Sequence, residues 1–193
     1  MQIPEHIARR VEALRKALKD PDEQVRVAAS KSLEKLEAVG DLDVLVARFK
    51  DGDHVERIRV IYAFGKIRSE VAVKALMYAL RSDNVEVRTA AIRALGDSKD
   101  VRGLDALLEL LPGTDETSQV EIIGVLPGFS DPRVIPAIQA QLKNRSLEVV
   151  DAAVQAMGRI GKAELEGPLL LALEKGPVRL RRSAAAALGD LEL

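Results

Sequence analysis

The side chains able to do chemistry are few and scattered. The chain holds two histidines, His6 and His54, in different segments, and no cysteine. Without cysteine there is no disulfide, thiolate metal site or thiol nucleophile. A transition-metal centre needs several convergent ligands, and Glu5-His6 is an isolated acid–imidazole pair. No Gly-rich phosphate loop, G-x-S-x-G elbow or Rossmann fingerprint occurs, and Gly161-Lys162 is too little for a P-loop. Carboxylates are plentiful, but on amphipathic helices they usually form the solvated face. No catalytic residue, cofactor or metal is therefore expected, and the chain reads as a non-enzyme. Its function has to lie on a surface, which turns attention to the elements that build one.

Those elements repeat. A motif V-R-x-A-A-x-x-A-L-G is clearest at Val87 to Gly96 (VRTAAIRALG) and Leu180 to Gly189 (LRRSAAAALG). Weaker copies run from Val25 to Glu34, Glu56 to Gly65, Gln119 to Gly128 and Val149 to Gly158. The closing residues Glu34, Gly65, Gly96, Gly128, Gly158 and Gly189 return about every 31 positions, the mark of a stacked array. A second register agrees: Asp22, Asp53, Asn84, Asp115 and Ser146 share that spacing and are all good helix N-caps. Pro177 holds the sixth place after Gly176, which suggests Gly176 as cap and Pro177 as first helical residue.

Between each motif and the next cap lies another amphipathic stretch, such as VAVKALMYAL (Val71 to Leu80) or VRGLDALLELL (Val101 to Leu111). Apolar residues fall at i, i+3, i+4 and i+7. Each unit is thus helix A, a polar turn, and helix B carrying the motif. The pairs read as 5–37, 42–67, 70–97, 100–129, 132–161 and 164–191. One pair cannot bury its own apolar faces, so stacked pairs share a core. The fold class is all-α: one α-solenoid of about six two-helix repeats across residues 1–193. Repeat four departs from the pattern. Gly124 and Pro127 sit inside its helix B, which should be short, bent or rotated.

Composition agrees with close helix packing. Ala, Leu and Val dominate, Trp is absent, and Phe49, Tyr62, Phe64, Tyr78 and Phe129 are the aromatic residues. No sustained period-two run suggests a strand. A net charge of -1 argues against a general nucleic-acid or acidic-membrane binder. The opening MQIPEHIARR has no signal-like apolar stretch, and no run approaches the roughly 18 apolar residues of a membrane span. A soluble, cytoplasmic protein with no nucleic-acid or membrane partner is expected.

These motifs resemble the PBS-lyase HEAT-like repeats, named after phycobilisome lyase subunits. The resemblance covers essentially the whole chain and is specific for fold, not for function. It implies that the B helices line a concave face. It also implies that the motif arginines Arg26, Arg57, Arg88 and Arg181 bond acidic turn residues, with Asp22 and Asp53 among the partners. Val120 and Val150 replace the arginine in repeats four and five, so that ladder should break there. HEAT-like di-iron hydroxylases carry repeated His-Glu pairs, and no His-Glu pair occurs here. The glycine closing each motif permits either a close approach or a positive φ.

If the V, A-A and A-L positions of helix B are buried, offsets -11, -10, -7, -6, -3 and +1 from the closing residue point into a groove. Repeat two then exposes His54, Ile58, Arg59, Tyr62 and Lys66. Repeat three exposes Ala90 and Arg93; repeat four exposes Ser118, Glu121, Ile122, Val125 and Phe129. The apolar and aromatic members suggest a protein-binding centre, since Tyr and Arg often anchor interfaces. The alternative is that Ile58, Val125 and Phe129 pack between repeats and Tyr62 is an isolated surface ring. Groove charges balance, unlike a nucleic-acid channel. The functional expectation is a scaffold or adaptor holding a protein or peptide partner. The alternatives are an auxiliary subunit of a phycobilin lyase-like enzyme and, third, a structural homo-oligomer through the C-terminal repeat.

Overall fold

The computed structural model describes residues 5–67 and 69–192, with the side chains of residues 5–8, 31, 33–41 and 43 outside that description. His6 and its environment therefore lie outside the described side chains. Among the described residues the regular structure is helical, with no strand. The chain forms two compact units, Met1–Arg57 and Ile58–Leu193.

The first unit contains α1 (Glu5–Ala17), α2 (Glu23–Asp51) and the opening turn of α3 (His54–Lys66). Asp22 caps α2, accepting from the amides of Gln24 and Val25 at 2.8 and 3.2 Å. Among its described side chains, Val11, Ala29, Leu42 and Phe49 are buried and apolar. The expected break between residues 37 and 42 does not exist, because α2 runs through it as one helix of 29 residues. The reason is local. Gly40 is the single breaker there, a lone glycine costs a helix only about 1 kcal/mol, and no proline enforces a stop. The stop comes at Asp51-Gly52-Asp53, where the Gly52 amide bonds the Arg48 carbonyl at 2.9 Å. Asp53 then starts α3, accepting from the Glu56 amide at 2.8 Å.

The second unit stacks the rest of α3 with four helix pairs. These are α4 (Glu70–Ala79) with α5 (Val85–Ser98), α6 (Val101–Leu110) with α7 (Glu116–Val125), α8 (Val134–Ala140) with α9 (Leu147–Ile160), and α10 (Glu166–Lys175) with α11 (Val178–Gly189). Asn84, Asp115 and Ser146 cap α5, α7 and α9, as their spacing predicts. At α11 the expectation needs a small correction: Gly176 ends α10, and Pro177 itself occupies the cap position of a helix starting at Val178. Two A helices carry caps as well, Ser69 on α4 and Asp100 on α6. The core is a continuous aliphatic seam including Ile61, Leu76, Ile92, Leu104, Ile122, Ile138, Val154 and Leu169.

The motif glycines prove to be points where helices meet. A Cβ on Gly65 would stand 3.0 Å from the Cβ of Ala94, and one on Gly158 would stand 2.8 Å from both Cα and Cβ of Ala187. A Cβ on Gly96 would meet Val125 Cβ at 2.5 Å. None of these glycines has a positive φ; that conformation belongs to Lys99 and Gly161. Glycine at the motif's end thus lets consecutive B helices touch. Gly128 and Gly189 face no such neighbour.

Helix B of repeat four is shortened as its sequence predicts. α7 ends at Val125, and Leu126–Gly128 form a 3-10 turn with Pro127 in its first positions. Proline cannot donate to the preceding turn, so the α-helical ladder stops before it. The Gly124 carbonyl, left near the helix end, accepts instead from Arg159 at 2.8 Å.

Candidate functional site

The B helices of the second unit present a row of polar side chains joined from repeat to repeat. Arg93 on α5 reaches Glu121 on α7, and Tyr62 on α3 lies near enough to Arg93 to contribute to its electrostatics. The Arg93 guanidinium grips Glu121 with two nitrogens, one bond being Nε to Oε2 at 2.9 Å. This bidentate bond to Glu121 raises the Arg93 pKa above its ordinary value; partial desolvation opposes the shift and Tyr62 adds to it. Tyr62 stays 40% exposed and the Arg93 side chain 53%, so the row remains open to a partner.

The remaining expected groove residues divide. Arg59 and Lys66 are exposed on α3, and Ile58 is half-buried. His54 is exposed, but it belongs to the first unit. Val125 is half-buried against Gly96 and serves packing. Phe129 is a correction: it is buried, because the 3-10 turn carries it off the face of α7. Ile122, Ser118 and Ala90 are buried too. The exposed stripe is therefore narrower than six offsets. Tyr62 and Arg93 at -3 and Glu121 at -7 hold the row, while at -6 Ala90 and Ile122 turn to the core and Arg59 stays exposed.

The motif arginines also differ from expectation in detail. Arg26 donates to the carbonyls of Asp20 and Pro21 at 2.8 and 2.9 Å, and Arg57 to the Lys50 carbonyl at 3.3 Å. They cap the preceding turn's backbone, and the carboxylates of Asp22 and Asp53 are occupied as N-caps. Arg88 does both jobs. It bonds the Ser82 carbonyl, then reaches the next repeat through Ser118 Oγ at 2.9 Å and Asp115 Oδ2 at 2.6 Å. Burial pushes the Asp115 carboxyl upward, but Ser118 and Arg88 outweigh it and hold the group well below its ordinary range. Arg181 is exposed on the last helix.

Two further ladders were not singled out from the sequence. Arg179 on α11 clamps Glu148 on α9 with both terminal nitrogens and bonds Asp151 Oδ2 at 2.9 Å. Asp151 is buried; Gln155 also donates to its Oδ2, and its Oδ1 has no hydrogen-bond partner. On the A-helix side, Arg133 joins Asp131 to Asp105 of the preceding repeat, the latter at 2.7 Å. A signal for all of these exists in the sequence. Arg93 and Glu121, Asp105 and Arg133, and Asp151 and Arg179 are opposite charges 28 residues apart. That is nearly one repeat, so each pair faces across one helix-to-helix step.

Among the described residues no group of three or more His, Asp or Glu side chains could hold a metal ion. No described helix is long and apolar enough to cross a membrane.

Among solved structures, the chain is similar to the complex of CpcE and CpcF of phycocyanin lyase from Nostoc sp. PCC7120. That match has 23% identity and a TM-score of 0.60, covering 78% of this chain and 64% of that one. This chain therefore spans less than two thirds of that relative's length. It is also similar to a designed armadillo repeat protein in complex with the peptide (KR)4, at 19% identity and TM-score 0.56, covering 97% and 100% of the two chains. An engineered protein matches at 21% identity and TM-score 0.55, over 93% and 95%. No curated protein matches. At these identities the likenesses establish the α-solenoid fold alone. A family model for HEAT repeats matches residues 42–120 and 106–189, taking in most of the stacked pairs described above, and the chain belongs to the HEAT repeat family.

Proposed function

We propose that this chain is a non-catalytic scaffold that holds a protein or peptide partner along the groove of its B helices, treating residues 1–193 as one array. The observation that carries this reading is the row of exposed Tyr62 and Arg93 with half-buried Glu121. It combines an amphipathic ring with a pre-oriented ion pair, so little side-chain freedom is left to lose on binding. Arg59 and Lys66, exposed on the same helix as Tyr62, belong to this surface. The near-neutral charge of the chain favours a protein over a nucleic-acid backbone. The likeness to an armadillo protein that holds a peptide supports a peptide-sized occupant. A soluble, cytoplasmic setting with neither cofactor nor membrane partner belongs to this reading. The test is affinity capture from the native extract with wild type, Tyr62→Ala and Arg59→Glu, each checked for native helicity. Selective loss of one partner by both variants supports the groove; unchanged recovery sinks it.

A second reading is an auxiliary subunit of a phycobilin lyase-like enzyme, favoured by the likeness to the CpcE–CpcF complex. Titration with bilin would shift its visible absorbance under that reading and leave it unchanged under the first. A third reading is a homo-oligomer through the C-terminal repeat, where Gly189 lacks the close neighbour that Gly65, Gly96 and Gly158 have. Light scattering on the purified chain decides it.

A further inference from the structure

The shortening of α7 opens a second feature beside the row. α3, α5 and α9 hand over to the next A helix across three, two and five residues, whereas eight residues (126–133), the 3-10 turn included, separate α7 from α8. A cleft of about 410 Å³ lies at this junction. That is within the roughly 300–1,000 Å³ of pockets that enclose small ligands or a few side chains. Its apolar part is formed by Pro127, Phe129, Ile135 and Ile160. Phe129 is buried and the other three are half-buried, so this wall is fixed and accessible.

Cations outnumber carboxylates in the lining of the cleft. Arg159 and Lys162 line it from the end of α9, and both are exposed. Arg159 spends one nitrogen on the Gly124 carbonyl, a neutral acceptor, so that bond leaves its charge uncancelled. The one carboxylate in the lining, Asp131, is bound at both oxygens by Arg133 at 2.9 Å. A ligand therefore meets two cations beside an apolar wall, while the one lining carboxylate is held by Arg133, which Asp105 shares.

We propose that this cleft is an anchor site for an acidic peptide segment: a branched aliphatic side chain seats against Phe129, Ile135 and Ile160, and neighbouring carboxylates pair with Arg159 and Lys162. The proposal rests on the scaffold reading and deepens it, adding the partner's chemistry and a site distinct from the Tyr62 row. The groove offset that was expected to expose Phe129 becomes instead the floor of a pocket.

The test is an amide-shift NMR titration of the full chain with acetyl-Glu-Leu-Glu-amide, with the Gln-Leu-Gln and Lys-Leu-Lys analogues for comparison. Saturable shifts confined to residues 127–135 and 159–162 are expected with the acidic peptide. The neutral analogue should bind several-fold more weakly, and the basic one not measurably. Lys162→Glu, an exposed change that leaves the Gly124 cap alone, should weaken the acidic peptide about five- to tenfold. Ile135→Ser should weaken all binding while preserving the helical spectrum. Equal response to the three peptides, shifts located elsewhere, or no saturable shift up to about 10 mM overturns the proposal. Those outcomes leave the Tyr62 row to its own capture assay, because none of these variants touches it.

Discussion

Gly158→Ala isolates the close approach that spaces the B helices. Alanine is the better helix former by about 1 kcal/mol, so on local grounds the change should stabilise α9. The added Cβ, however, would stand 2.8 Å from both Cα and Cβ of Ala187. One of those atoms is backbone, which cannot swing aside as a flexible side chain would. Overpacking of this kind costs about 1–3 kcal/mol, so the net expectation is about 1 kcal/mol of destabilisation. For a chain of this size that lowers the thermal midpoint by about 2–4 °C. Gly189→Ala is the matched control. It is the same exchange at the same motif position, but nothing lies within 4 Å of its Cβ. It should be neutral or raise the midpoint by a degree or two, about 0.5 kcal/mol. Ala187→Gly should cost less in the Gly158→Ala background than in wild type, because there it also removes the clash with the side chain. The assay is far-ultraviolet circular dichroism during heating and in urea, comparing midpoints, since repeat arrays depart from all-or-none unfolding. A Gly158→Ala midpoint at or above that of Gly189→Ala would refute the close-approach reasoning.

Arg88→Ala should cost about 1–3 kcal/mol in urea unfolding, because it strips charge-assisted bonds from Asp115 and Ser118 and a cap from Ser82. Arg181→Ala, exposed on the last helix, should stay within about 0.5 kcal/mol of wild type. The depressed Asp115 carboxyl predicts a pH dependence of definite sign. Its stabilisation is fully present above the unfolded-state value near 4 and is lost as pH falls through the lower folded value, so Asp115→Asn should flatten the acid limb of the stability curve. A double-mutant cycle on Arg93 and Glu121 should give a coupling of about 0.5–1 kcal/mol that shrinks in high salt, as befits a half-exposed pair. Asn84→Ala should cost about 1 kcal/mol by removing the oxygen that accepts from Glu86 and Val87.

Much of the fold was legible because its causes are local. A cap at Asp115 or Ser146 works through amides two or three residues away, and Pro127 ends α7 by lacking its own donor. The misreading at residues 37–42 is the converse. The repeat pairing places a boundary there, but Gly40 is only a weak helix former and nothing stronger interrupts α2. The candidate site was half legible. Arg93 and Glu121, both expected in the groove, form an ion pair, and Tyr62 is exposed. Phe129 leaves the face because α7 ends early, whereas Ile122, like Ala90 at the same offset, is buried because that offset turns to the core.

By itself, the sequence determined the period, the helix starts, the all-α class and the anomaly in repeat four, since each depends on residues within one or two turns of chain. Only the tertiary structure decided what the repeated residues do. It made the motif glycines meeting points between helices and not turn formers, turned Arg26 and Arg57 to backbone carbonyls, and tied Arg93, Arg133 and Arg179 to acids about one repeat away. It also turned Phe129 inward to floor a cleft. The physical reason is that these outcomes depend on the distance and rotation between neighbouring helices. Those quantities are fixed by how a whole layer of side chains packs, and no single repeat contains them.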